Sequence, residues 1–562
     1  MKTAVSWVGA MLAASLMLAS LMLACLMLAA GAAEVRAAEP VARIPLGPLG
    51  YQTMVPEFRL AGSSMLRVDF VDADHLLVTF GLRRLMERLP GDPADDDDRM
   101  VGAVVVELPT GKVLAKTEWR LHDRGQYLWG LGHGRFLLRV RDRLTVIAPM
   151  AAGGAGGAKD AFREVPLLNN ERHIVALMVS ANEDLLTVET TKPAASAETG
   201  EASVGAGPSG NLVIHDPAQT DTAPVQLNFY RLTSTGAGAE GLLATPAGAI
   251  RARTAVELPM TAGGFLDVKE GGKDRWLFNF DAHTGPVSEL AEWDTTCFPQ
   301  ATFVGHGEFV AFGCRGSAEK QALAGFNLKG EEMWQQNFGD IHVSPKFAFA
   351  PAAGRFALGR TVVTAAVDES APMPESVVSA EEVRVVESYD GKVLFKINCT
   401  PVERAGENFA LSADGMRLGV VRETLVHHAA TKDYDEYTER EAAVEVYALP
   451  PLTEKDQVEV KAAEAMAPPL DVGARIDLSL ERISTPVTAR AESGADAASG
   501  GGDSATLAPE LAGESAAVGE PSAPSVAAAD VGAVLGDPVP GAARKRPTLY
   551  GPDETPSGSS SR

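Results

Sequence analysis

The sequence predicts an all-β protein assembled from repeated four-stranded antiparallel units, and three observations carry that prediction. The stretch Ala301–Phe338 reads as one complete meander, its opening hairpin belongs to a pattern that recurs six times, and no amphipathic helical pattern of good length appears between the N-terminal apolar run and Pro450.

In the meander, Ala301–Val304 is a short apolar run, His306–Gly307 a turn, and Glu308–Arg315 (EFVAFGCR) an aromatic and β-branched strand bounded by glycines. Ala322–Leu328 then passes through Lys329–Gly330 into Glu331–Phe338, a second hairpin. The first hairpin recurs at Met65–Arg84, Tyr127–Leu144, His173–Thr191, Thr302–Gly316, Lys346–Val363 and Asn408–Leu425. The second recurs at Val104–Trp119, Gly325–Phe338 and Val385–Cys399, where TGKVLAK (Thr110–Lys116) matches DGKVLFK (Asp390–Lys396) almost residue for residue. The repeats begin roughly 45–60 residues apart, with one interval near 125 that holds two units, as expected of blades carrying insertions. Within that interval, strands between Val225 and Trp293 read as a divergent seventh unit; six or eight units are the alternatives.

Residues 1–37 read as an export signal: a lone Lys2 precedes an apolar run with SLMLA, SLMLA and CLMLA in tandem. Cleavage fits before Ala38, after Val35-Arg36-Ala37, or after Ala30-Gly31-Ala32. The length of the run also admits an uncleaved membrane anchor, and Met22-Leu23-Ala24-Cys25 resembles a lipoprotein cleavage box. A periplasmic, cell-surface or secreted chain is therefore expected, with membrane contact only through this segment. In such a compartment Cys297, which precedes one strand of the opening hairpin, and Cys314, which ends the next, are candidates for a disulfide; two separate buried thiols are the alternative, and Cys399 reads as a small buried apolar residue. A net charge of −24 argues against sequence-independent binding to nucleic acid, which needs a basic surface.

The domain plan is an extended lead-in over residues 38–53, a repeat domain over 54–450, and a tail over 451–562 whose Ala, Gly, Ser, Pro and acidic composition reads as disordered. RIDLSLERI (Arg475–Ile483) is the tail's one periodic patch, and Arg544-Lys545-Arg546 a weak basic spot. The acidic Arg88–Met100, the Gly-rich Ala151–Ala158, Lys192–Pro224, Thr364–Ala380 and the charged His427–Arg440 read as loops at the rim.

From about Met54 to Leu449 these repeats resemble β-propellers of the WD-repeat-like and quinoprotein-like superfamily, a ring of four-stranded antiparallel blades, seven here. The regular WD dipeptide is missing. Quinoprotein dehydrogenases of similar fold use adjacent cysteines over the cofactor; this chain has no such pair, so no cofactor is expected.

Candidate chemistry is sparse. Asp95, Asp96, Asp97 and Asp98 could offer carboxylates to Ca²⁺, but they lack the alternating ligands and glycine of a dedicated loop, and a solvated charged loop is the favoured reading. His133 and His306 each sit in a Gly-His-Gly turn at equivalent places in two repeats, which points to turn geometry. Adjacent His427 and His428 on a loop make a poor preorganised metal site. Trp119, Trp293 and Trp334, at corresponding ends of outward strands, read as packing in the core or between blades rather than as a ligand platform. No Gly-x-Ser-x-Gly nucleophile elbow and no phosphate-binding glycine loop occurs. The expected function is a non-enzymatic, monomeric interaction or scaffolding module of a bacterial envelope that binds protein partners. The alternative is a metal-dependent hydrolase or lactonase with its site in the central channel.

Overall fold

The computed structural model describes residues 39–53, residues 66–468 apart from several inter-strand loop segments, and residue 476. The described residues form seven four-stranded antiparallel sheets; in six the strands pair in sequence order as a meander, and in the seventh the outer strand comes from the start of the described chain. Blade 1 comprises Arg67–Asp72, His75–Leu82, Arg99–Glu107 and Lys112–Leu121; blade 2 Leu128–Gly130, Phe136–Val140, Arg143–Ile147 and Val165–Asn169. Blade 3 comprises His173–Val179, Leu185–Thr191, Val225–Ser234 and Leu242–Ala252; blade 4 Met260–Thr261, Gly264–Gly272, Arg275–Ala282 and Val287–Asp294. Blade 5 is Gln300–Phe303, Glu308–Arg315, Lys320–Asn327 and Glu332–Gly339; blade 6 is Lys346–Ala350, Arg355–Val363, Val378–Glu387 and Val393–Cys399. Blade 7 is built from Phe409–Leu411, Arg417–His428, Tyr437–Ala448 and, as its outer strand, Ala42–Pro45. The molecule is a seven-bladed β-propeller.

One hydrophobic cluster fills each interface between consecutive blades, including the pair formed by blades 7 and 1. A second strand is thus covered on both faces, which is why Glu308–Arg315 reads as a continuous apolar run without alternation. The three tryptophans serve these interfaces. Trp119 packs with Tyr127 and Phe136 of blade 2, Trp293 with Phe326 of blade 5, and Trp334 stacks on Phe356 of blade 6 at 6.4 Å. Trp334 also donates its indole N–H to Ser388 O at 2.6 Å.

The matched heptapeptides form the same structure. Gly111 and Gly391 both take left-handed φ, 69° and 71°, and donate their N–H to Glu107 O and Glu387 O. In each turn a side-chain oxygen, of Thr110 or Asp390, accepts from the N–H two residues on.

Three expectations are corrected. Residues 42–45 do not lead into the first sheet: Ala42 pairs with Val446 and Pro45 with Ala443, so the start of the described chain completes the last blade and closes the ring. Val225–Trp293 is not one unit, because Val225–Ser234 and Leu242–Ala252 complete blade 3 and only Met260–Asp294 forms blade 4. The region after Pro450 is not structureless from its start. Thr453 and Asp456 make a reciprocal capping box, and helix α1 (Glu454–Glu464) follows. Val460 faces Gly354, Asp456 accepts from the Tyr389 hydroxyl at 2.8 Å, and Lys455 lies 4.6 Å from the centre of the Tyr389 ring. Further on, Pro468 lies against Gly263 of blade 4, and Ile476 is buried between blades 3 and 4 with its N–H donated to Ala247 O. The described residues of this segment thus touch blades 6, 5, 4 and 3 in turn. Thr453-x-x-Asp456 was the legible signal, masked by a composition that otherwise reads as unstructured.

Candidate functional site

The first strands of all seven blades line a common central cavity of 1090 Å³. Its wall carries Phe70, Phe136, Phe303, Phe347, Phe349 and Phe409 from five blades, interspersed with charged groups that include Arg67, Asp69, Asp72, Lys346 and Asp414. Arg67 is matched within the wall, giving its Nε to Asp69 Oδ2 at 2.6 Å and Nη2 to Oδ1 at 2.8 Å.

The polar groups concentrate where blades 2 and 3 meet. Gly132, His133 and Gly134 form a turn entirely in the left-handed region, at φ 68°, 52° and 70°, and the turn leaves the His133 side chain exposed. Arg135 follows it and is buried, at 2 % exposure. It donates Nε to Gly132 O at 3.3 Å and Nη2 to Ser234 Oγ at 3.0 Å, while Nη1 has no partner among the described residues. The indole N–H of buried Trp129 likewise has none. Opposite stands Glu183, itself at φ 60°, so close to the turn that a Cβ on Gly132 would collide with its carboxylate. Burial raises the Glu183 pKa to about 7, outweighing the Gly132 N–H it accepts and the charge of Arg135.

A second cluster borders this corner. His306 gives Nε2 to Asp184 at 2.7 Å and Nδ1 to Glu464 of α1 at 2.9 Å. Burial alone would lower its pKa, but these carboxylates raise it to about 9, so the ring is an imidazolium at neutral pH. Burial would raise the Asp184 carboxyl, yet the hydrogen bonds from His306 and Ser180 hold it low. The Ser180 hydroxyl donates to Asp184 Oδ1 at 2.8 Å. The carboxylate lies between hydroxyl and imidazole, an order that keeps the imidazole off the serine oxygen and does not activate it as a nucleophile.

The residues singled out in the sequence are dispersed. Asp98 is engaged by Arg120 and His122, an ion-paired strand end, while Asp95, Asp96 and Asp97 lie outside the described residues. Cys297 and Cys314 are joined by a disulfide with their Cα atoms 5.3 Å apart, and Cys399 is a free buried thiol. His427 and His428 end a long strand and pair separately with Glu436 and Glu439. Of the two Gly-His-Gly turns, His133 is a turn residue as expected, whereas His306 also bridges three parts of the chain. Sequence reasoning missed Trp129, Arg135 and Glu183. No local motif marks them, since their burial arises only when two blades meet. Among the described residues no group of three His, Cys, Asp or Glu converges as a metal site, and no helix is long and apolar enough to cross a membrane; the segment 1–38 lies outside them.

No family model matches the sequence, and no curated relative is found. Solved structures similar to it include the acylaminoacyl peptidase of Pyrococcus horikoshii, at 10% identity over 73% of this chain and a TM-score of 0.37. The chain spans 55% of that peptidase. The C-terminal WD40 domain of Sif2 is similar at 8% identity, over 74% of this chain and 99% of that domain, with a TM-score of 0.31. KlHsv2 with a Gly-Ser linker for its loop 6CD is similar at 7% identity, over 67% of this chain and 97% of its own, with a TM-score of 0.30. The propeller assignment rests on the strand order of this chain.

Proposed function

We propose that this chain is an exported, non-enzymatic binding module whose central channel accepts an extended apolar segment of a partner protein. The observation that carries the reading is the channel wall, which combines a 1090 Å³ volume and phenylalanines from five blades with charged groups that are in part paired within the wall, as Arg67 is with Asp69. Such a wall offers area for burial and little to polarise a bond. The Cys297–Cys314 bond supports an oxidising destination.

The test is calorimetric titration of the full chain with an acetylated, C-terminally amidated pentapeptide of leucine and phenylalanine. The expected result is saturable binding without cleavage, weakened about tenfold or more by Phe349→Asp, which puts a charge into an apolar wall. Turnover of peptide or ester substrates that Glu183→Gln abolishes would sink the non-enzymatic reading. N-terminal sequencing of exported protein tests the destination, with a start at Ala38 or Ala33 expected.

A further inference from the structure

Arg135 and Trp129 lie on one face of a single hairpin. Trp129 pairs with Leu137 across it, and Leu131 donates its N–H to Arg135 O at 2.9 Å, so positions 129, 131, 135 and 137 share a side. Both side chains border the channel cavity, both are at least nine-tenths buried, and each holds a donor with no acceptor among the described residues: Arg135 Nη1 and Trp129 Nε1. A buried guanidinium donor left without a hydrogen-bond partner is costly, and Glu183 offers this one a nearby charge but no hydrogen bond. Packing does not explain it, since the other two nitrogens of the guanidinium are held by Gly132 and Ser234. The chemistry that matches a free guanidinium nitrogen and a neutral N–H on the same face is an oxyanion, such as a carboxylate. Phe303, Phe347, Phe349 and Phe409 line the far side of the cavity, with Lys346 and Asp414 among them, so the complementary ligand carries one such group on a body with a large apolar face.

We propose that the blade 2–blade 3 corner of the channel is a carboxylate subsite, in which Arg135, assisted by Trp129, anchors the carboxylate of an otherwise apolar ligand. The inference rests on the binding reading above and adds the polar anchor. Two sources supply the chemistry: the C-terminal carboxylate of a peptide and an acidic side chain within one. Glu183 faces the same corner, beside Gly132 and Arg135 and next to Asp184 in its own turn. A protonated Glu183 adds no like charge at this corner, and the carboxylate of Asp184 next to it is paired with His306.

The experiment titrates the full chain, at about pH 6.5 where Glu183 is mostly protonated, with four probes. These are the leucine–phenylalanine pentapeptide as free acid, the same peptide amidated, an amidated version with one internal aspartate, and 3-phenylpropionate. The free acid is expected to bind about tenfold more tightly than the amide. That preference is expected to vanish in Arg135→Gln and to fall roughly threefold in Trp129→Phe, which removes the N–H while keeping an aromatic ring. Should Arg135→Gln fail to fold by near-ultraviolet circular dichroism, Trp129→Phe and Arg135→Lys decide, the lysine keeping charge but losing the fork. Tighter binding of the internal-aspartate peptide than of the free acid would make a side chain the natural anchor. Binding of phenylpropionate alone would support the subsite and sink the peptide reading. Equal binding of acid and amide would overturn the subsite and leave the binding module standing, and no binding by any probe would overturn both.

Discussion

Two turns in this molecule share the tripeptide Gly-His-Gly and the same position in their blades, yet they do different work. In blade 2 the turn is left-handed throughout and His133 points away exposed, leaving the turn backbone to receive Glu183. In blade 5 His306 is wedged between Asp184 and Glu464, and Gly307 lies so close to α1 that a Cβ there would collide with Ala463 O. The difference teaches that the repeat dictates the turn, while whatever packs over it dictates the role of the histidine. Blade 2's turn meets a neighbouring blade; blade 5's meets the strap after Pro450.

The comparison can be broken most strongly at His306. His306→Ala leaves Asp184 without its main partner and releases α1 at its C-terminal end, and a loss of about 3 kcal/mol in denaturant unfolding is expected. The pH dependence has the same origin. An unfolded histidine titrates near 6.5 and the folded one near 9, so the contribution of His306 is complete below about pH 6.5 and is lost as pH rises through 9. Wild-type stability should fall by roughly 2–3 kcal/mol more across that window than that of His306→Ala, which keeps only the smaller loss from Glu183 ionising near pH 7. A flat wild-type profile would show that the bridge carries no net weight.

Gly307→Ala sharpens the contrast without touching charge. The added methyl meets the helix backbone, and a cost of about 2 kcal/mol is expected, with faster hydrogen exchange confined to α1. Unchanged exchange there would mean that α1 is not seated on the turn. A smaller effect is expected at blade 2: binding of the free-acid pentapeptide should weaken about threefold to tenfold from pH 6 to pH 8 as Glu183 ionises, and Glu183→Gln should remove that dependence. Least of all, His133→Gly should alter stability by less than about 1 kcal/mol, because relief of a left-handed non-glycine residue is offset by added chain entropy. A large loss in that variant would give His133 a contact role after all.

Much of the propeller was legible. Apolar runs bounded by turn residues located the first hairpins of six blades, and Thr110–Lys116 against Asp390–Lys396 foretold two identical glycine turns. The boundary of blade 3 was misread because residues 192–224 separate its second strand from its third, so spacing suggested a new unit. The channel corner was hardly legible. Trp129 lies in an ordinary apolar strand, Arg135 follows a turn, and Glu183 occupies a polar turn like many others; each gains its character from residues on another blade or across a hairpin.

By itself the sequence determined the all-β class, the repeat of hairpins and the glycine turns, because side-chain alternation and left-handed turn residues act over a few neighbouring positions. Only the tertiary structure decided that Ala42–Pro45 closes blade 7, that Glu464 reaches His306, and that Glu183 confronts the turn before Arg135. Those contacts join segments separated by tens to hundreds of residues. Partners at that distance are selected by the shape and charge of surfaces that exist only once the ring has closed.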